Sequence, residues 1–147
     1  MTATWGIAAL IISLPAMAAA EERCPWLNAA TAGGVLGGAV QVTVTGASCE
    51  FISKANGHGA SLQIEVTAVS APHAQCGSDA EPLKAIGNQA VACSYQGKPG
   101  WTAEQVVGTV RDQAFVVRLG SNDPSAAAKT LSEKARKVAE QVAGILF

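Results

Sequence analysis

Four cysteines, Cys24, Cys49, Cys76 and Cys93, all follow an apolar leader, and this arrangement constrains the fold more than any other feature of the chain. An even number of cysteines behind an export-type segment reads as disulfides, because an oxidising compartment forms and keeps them. Four cysteines allow three pairings. Their order along the chain favours Cys24–Cys49, tying the opening segment to an early strand, and Cys76–Cys93, closing the loop ahead of a later strand. Each closed loop spans roughly 20 residues, so each bridge is worth ~3 kcal/mol through the lost entropy of the unfolded chain. The competing reading is a zinc shell of His58, His73, Cys76 and Cys93. Its spacing is poor: CxxC, HxxxH and HExxH, the patterns that preset ligand geometry, are all absent. No cofactor is therefore expected.

The leader itself, residues 1–20, carries no charged side chain. Trp5 to Leu14 is an apolar stretch of signal-peptide length, followed by Pro15 and by Ala16-Met17-Ala18-Ala19-Ala20. Signal peptidase requires small side chains three and one residues before the cut. Ala18 and Ala20 meet that requirement, so cleavage after Ala20 is expected, with cleavage after Ala18 nearly as good, and a mature domain over residues 21–147 that is periplasmic or secreted. A spanning helix needs about 20 apolar residues, and Pro15 interrupts this one, so no stable membrane span is expected after cleavage. The leader departs from the usual pattern in having no Lys or Arg near Met1. Glu22-Arg23 stands before Cys24 where a lipoprotein would carry small apolar residues.

Composition narrows the class. The 147 residues are 49% apolar and 14% charged, with a net charge of −1. That suffices for one domain with a core, and it excludes both a disordered chain and a general nucleic-acid binder.

Hydrophobic periodicity then sets the order of elements. Asn28 is a candidate N-cap for a short helix with Leu27, Thr31, Val35 and Leu36 on its apolar face and Gly37-Gly38 as its stop. Val40 to Thr45 alternates valine with polar residues, Cys49 to Ser53 reads as its partner, and after the turn dipeptide Asn56-Gly57 the stretch Ser61 to Val69 alternates again. Residues 70–88 read as irregular, with room for a helical turn within Pro82 to Gly87. Strands resume at Ala90 to Tyr95, Trp101 to Val110 and Ala114 to Leu119. Asp123-Pro124 marks the start of a long helix whose stripe is Leu131, Ala135, Val138, Val142 and Ile145. The expected fold is α+β: about six mostly antiparallel strands in two meanders, with a short N-terminal and a long C-terminal helix on the sheet.

Cys24-Pro25-Trp26-Leu27, the Cys49-Glu50-Phe51 strand and the Ile86-Gly87-Asn88-Gln89-Ala90 stretch resemble a domain-of-unknown-function family of actinobacterial secreted lipoproteins. The resemblance covers most of residues 24–119 and implies a PsbP-like sandwich with a Cys24–Cys49 bridge. It implies no activity. The chain departs from the family in lacking a lipobox and in carrying the Cys76, Cys93 pair.

Catalytic patterns are missing. There is no GxSxG, no CxxC and no acid at a telling distance from His58 or His73, while Asp79 and Glu81 fall in a polar loop. A small exported enzyme using a loop histidine stands as the alternative. The leading expectation is a non-catalytic binding module for a protein or a cell-envelope component. Its candidate contact residues are Trp101, Trp26 and Tyr95, since tryptophan and tyrosine commonly anchor interfaces. Trp101, directly after Lys98-Pro99-Gly100, is the best placed for exposure.

Overall fold

A computed structural model describes residues 22–71 and 73–147. The leader and its expected cleavage site lie outside the described residues. The elements run α1 (Ala29–Leu36), β1 (Val40–Thr45), β2 (Ser48–Ala55), β3 (His58–Ala68), β4 (Glu81–Leu83), β5 (Gln89–Ser94), β6 (Thr102–Val110), β7 (Gln113–Ser121) and α2 (Ala128–Leu146). All strand pairs are antiparallel, in the order β1-β2-β3-β7-β6-β5-β4. Two meanders, β1–β3 and β4–β7, thus meet where β3 pairs with β7 from Ala60↔Ser121 to Ala68↔Gln113. The fold is the expected α+β class, with seven strands rather than about six.

The additional strand corrects the sequence reading of residues 82–87. Instead of a helical turn, β4 pairs Glu81 to Leu83 with Ala92 to Ala90 on β5. Three residues are too few for alternation to register as a pattern, and Pro82, lacking an N–H, is tolerated because β4 is a sheet edge.

Both helices lie on the same face of the sheet, α1 over β1–β3 and α2 over β5–β7. The strand residues beneath them are one parity set: Cys49 and Phe51 on β2, Leu62, Ile64 and Val66 on β3, Val106 on β6, Phe115, Val117 and Leu119 on β7, all buried. In α1 the side chain of Asn28 accepts from Thr31 N at 2.8 Å, and Gly37, in the left-handed conformation, ends the helix. Lys134 Nζ from α2 donates to the Val35 carbonyl at 3.0 Å, placing a cation at the C-terminal end of α1, where the helix dipole favours it.

Two expectations for α2 are corrected. The helix begins at Ala128 behind the N-cap Ala127, not at Asp123-Pro124. Asp123 Oδ1 is occupied by Ser125, accepting from its N at 2.8 Å and its Oγ at 2.7 Å, so it closes a local turn and leaves α2 uncapped by a side chain. Leu131, Ala135, Val138 and Val142 do form the buried stripe, joined by Ala139 and Ala143, but Ile145 is 56% exposed at the last turn.

The disulfides are those the order of the cysteines favours, Cys24–Cys49 and Cys76–Cys93. Cys49 lies on the covered face of β2 and draws the segment before α1 onto the core. In that segment Glu22 Oε2 accepts from Val44 N at 2.7 Å, occupying a donor on the edge strand β1. No helix among the described residues is long and apolar enough to cross a membrane.

Candidate functional site

The strand residues of the opposite parity form a face with no helix on it among the described residues. At its middle, the register places Cys93, Gln105, Arg118, Gln63 and Glu50 side by side across β5, β6, β7, β3 and β2. Hydrogen bonds join most of this row. Gln105 Nε2 lies 3.3 Å from Cys93 Sγ; Gln105 Oε1 accepts from Arg118 Nε at 3.3 Å; Gln63 Oε1 accepts from Arg118 Nη1 at 3.2 Å; and Gln63 Nε2 donates to Ser48 Oγ at 3.3 Å. Gln105 also reaches back to the Gln75 carbonyl, at 3.5 Å.

The polar row divides the face into two halves. Below it, the loop after β3 lies against the sheet, with His73, Gln75 and Cys76 beside Val91 and Val107, fastened by the Cys76–Cys93 bridge. Above it, the sheet is open. The floor there is built from small residues, Ser61 on β3, Ala103 on β6 and Gly120 on β7, and the wall is the β5–β6 loop, residues 95–101. The result is a cleft of about 270 Å³, near the lower end of the roughly 300–1,000 Å³ common for small-molecule sites.

Trp101 crosses this floor. Its indole lies so near the backbones of β3 and β7 that a Cβ on Gly59 would come within 3.0 Å of Cη2, and one on Gly120 within 3.4 Å of Cε3. Glycine at these positions leaves the surface on which the ring rests. Lys98 Nζ sits 5.2 Å from the Trp101 ring centroid, a cation–π distance.

Arg118 is the best-held charge in the site. Its side chain is 19% exposed and its guanidinium lies 4.7 Å from the Tyr95 ring centroid. Nη1 is 4.0 Å from Glu65 Oε2, a marginal contact worth little beside the two glutamine hydrogen bonds. Nε and Nη1 are thus engaged, while Nη2 has no protein acceptor among the described residues.

The sequence-predicted residues separate in space. Trp101 and Tyr95 both line the cleft. Trp26 packs, partly buried, against the core on the other face of the sheet. His58 begins β3 and His73 lies in the loop beyond its other end, so the structure does not bring the two histidines together. Cys76 and Cys93 are joined to each other and present no thiolate, which removes the zinc shell. No cluster of three or more potential ligands occurs among the described residues. Glu104 is buried, and desolvation raises its pKa above the usual carboxylate value, with Asp79 adding to the effect and the Ser94 hydroxyl opposing it. It points to the covered face, opposite its neighbour Gln105, and takes no part in the cleft.

Sequence reasoning did not select Arg118, Gln63, Gln105 or Glu50. A signal was present for Arg118, the single charged residue in Ala114 to Leu119. A cation amid strand apolars marks a position where the sheet meets something other than core.

No family model matches the chain, and neither a curated protein nor a solved structure matches it.

Proposed function

We propose that this is an exported, disulfide-stapled binding module whose ligand-contacting surface is the open half-face of the sheet around Trp101, Tyr95 and Arg118. One observation carries the reading: the helices cover one face completely enough to form the core, while the other keeps a cleft in which two aromatic rings and a fixed guanidinium converge. Tyr, Trp and Arg are the side chains that concentrate binding energy in partly desolvated sites. The two bridges support an oxidising compartment, and an envelope component is the class of ligand such a compartment offers. Among the described residues no hydroxyl of the cleft is hydrogen-bonded to a base, and binding without turnover accounts for the lining.

A photo-crosslinking amino acid placed at Gln96, on the rim of the cleft, tests this against one placed at Lys137, on the exposed side of α2. With envelope preparations, a discrete adduct is expected from position 96 and not from 137, and the substitution Trp101→Ala should abolish it. Equal labelling at both positions, or an adduct from position 137 alone, would reject the open face as the binding surface.

A further inference from the structure

We propose that the cleft recognises an acidic sugar of monosaccharide size, a hexuronate, with its carboxylate on Arg118 and Lys98 and its ring against the neighbouring aromatics. This rests on the open-face reading above and gives it a ligand class.

The carboxylate follows from the cations. Arg118 is held by Gln105, Gln63 and the Tyr95 ring, with both Nη2 donors unspent among the described residues. A guanidinium fixed in this way loses little side-chain freedom when an anion arrives, and its planar donors match a carboxylate. Lys98, on the same cleft, makes no ion pair among the described residues and has only the Trp101 ring as a partner. An anion in the cleft would give it a stronger one.

The sugar ring follows from the remaining lining. A pyranose presents apolar C–H bonds on its face and hydroxyls around its edge. Trp101 and Tyr95 supply aromatic surface for the face. Glu50 and Ser61 supply acceptors for hydroxyl hydrogens, and neither is needed by an apolar or aromatic acid. The size agrees, since a cleft of about 270 Å³ has room for one pyranose ring.

The probes are glucuronate, glucose and benzoate, titrated into the isotopically labelled mature protein while amide, Trp101 indole and Arg118 Nε resonances are followed. Expected is a saturable shift confined to residues around the cleft, with glucuronate binding at least about tenfold more tightly than glucose or benzoate. Arg118→Gln should remove that preference. Lys98→Gln, at an exposed site where folding is not at stake, should weaken glucuronate about threefold while leaving the melting temperature unchanged. Equal affinity for glucuronate and glucose would overturn the carboxylate, and equal affinity for glucuronate and benzoate would overturn the sugar. In both cases cleft-localised shifts would leave the open-face reading standing. No shift with any probe would overturn the hexuronate, and saturable shifts located away from the cleft would overturn both.

Discussion

The two faces of one sheet are built from alternate residues of the same strands, yet they are held together by different forces. On the covered face, Phe51, Leu62 and Leu119 sit in register across β2, β3 and β7 and are fully buried under helices. On the open face, one residue away along β3 and β7, Gln63 and Arg118 form a row with Gln105 of β6, linked by directional hydrogen bonds. Apolar burial is non-directional and sums with area. A polar row gains little net energy per bond but fixes the geometry of each member. The covered face therefore sets stability and the open face sets the position of a charge.

The sharpest way to break that contrast uses adjacent residues of β2. Phe51→Ala on the covered face should cost ~3–5 kcal/mol, whereas Ile52→Ala on the half-exposed open face should cost about 1 kcal/mol or less, both read by urea unfolding of the oxidised protein. Similar losses would mean that the open face contributes to stability as a second core. A smaller effect is expected within the polar row. Gln105 is buried, so Gln105→Ala leaves Arg118 Nε without its acceptor and should cost ~1–3 kcal/mol, and the Arg118 Nε–H resonance should broaden. Gln63→Ala, at a half-buried position, should cost less.

The smallest effect separates the faces by pH. Glu104, on the covered side, has a folded-state pKa above the ordinary 4.5, so the native state holds its proton more tightly than the unfolded chain does. Its favourable contribution is present at and below 4.5 and is lost as pH rises through the elevated value. Glu104→Gln should flatten the decline in melting temperature across that window, while Arg118→Gln, which removes a group that stays charged throughout, should leave it in place. Asp123 works in the opposite sense. The Ser125 hydrogen bonds, first from its hydroxyl and then from its backbone, with a further contribution from His58, hold its pKa below 3.8, so its contribution is lost only as the medium becomes more acidic than that.

What the sequence revealed follows the same division. Strand parity, the buried stripe of α2 and the N-cap at Asn28 are repeated or local patterns, and each can be read from neighbouring residues. The covered face was legible for that reason: Leu62, Ile64 and Val66 alternate in plain sight. The candidate site was half legible. Trp101 and Tyr95 stand out by residue type, and the β5–β6–β7 hairpins set Arg118 beside them, but Gln63, Ser61 and Glu50 join the cleft only because β3 pairs with β7 from Ala60↔Ser121 to Ala68↔Gln113, which no local pattern encodes. Trp26 has the same side chain as Trp101 and ends up against the core because Cys24–Cys49 ties its segment to β2, a tertiary constraint. The Asp123-Pro124 pair looked like a helix start, since a cap and an Asx turn use the same side-chain acceptor and differ only in which amide reaches it.

The β3–β7 pairing has one more consequence. Each disulfide closes a loop on its own side of it, Cys24–Cys49 within the first meander and Cys76–Cys93 within the second. Each helix likewise packs on the strands adjacent to it in sequence. No covalent cross-link therefore spans the nine residue pairs from Ala60↔Ser121 to Ala68↔Gln113. A backbone break after Ser70 would yield two fragments, each with its own staple, helix and meander, joined along the β3–β7 edge, by the shared core and by the Lys134–Val35 hydrogen bond. The molecule has the construction of a complementing pair carried on a single chain, and the cleft, with Gln63 on one fragment and Arg118 on the other, would exist only when the two are together.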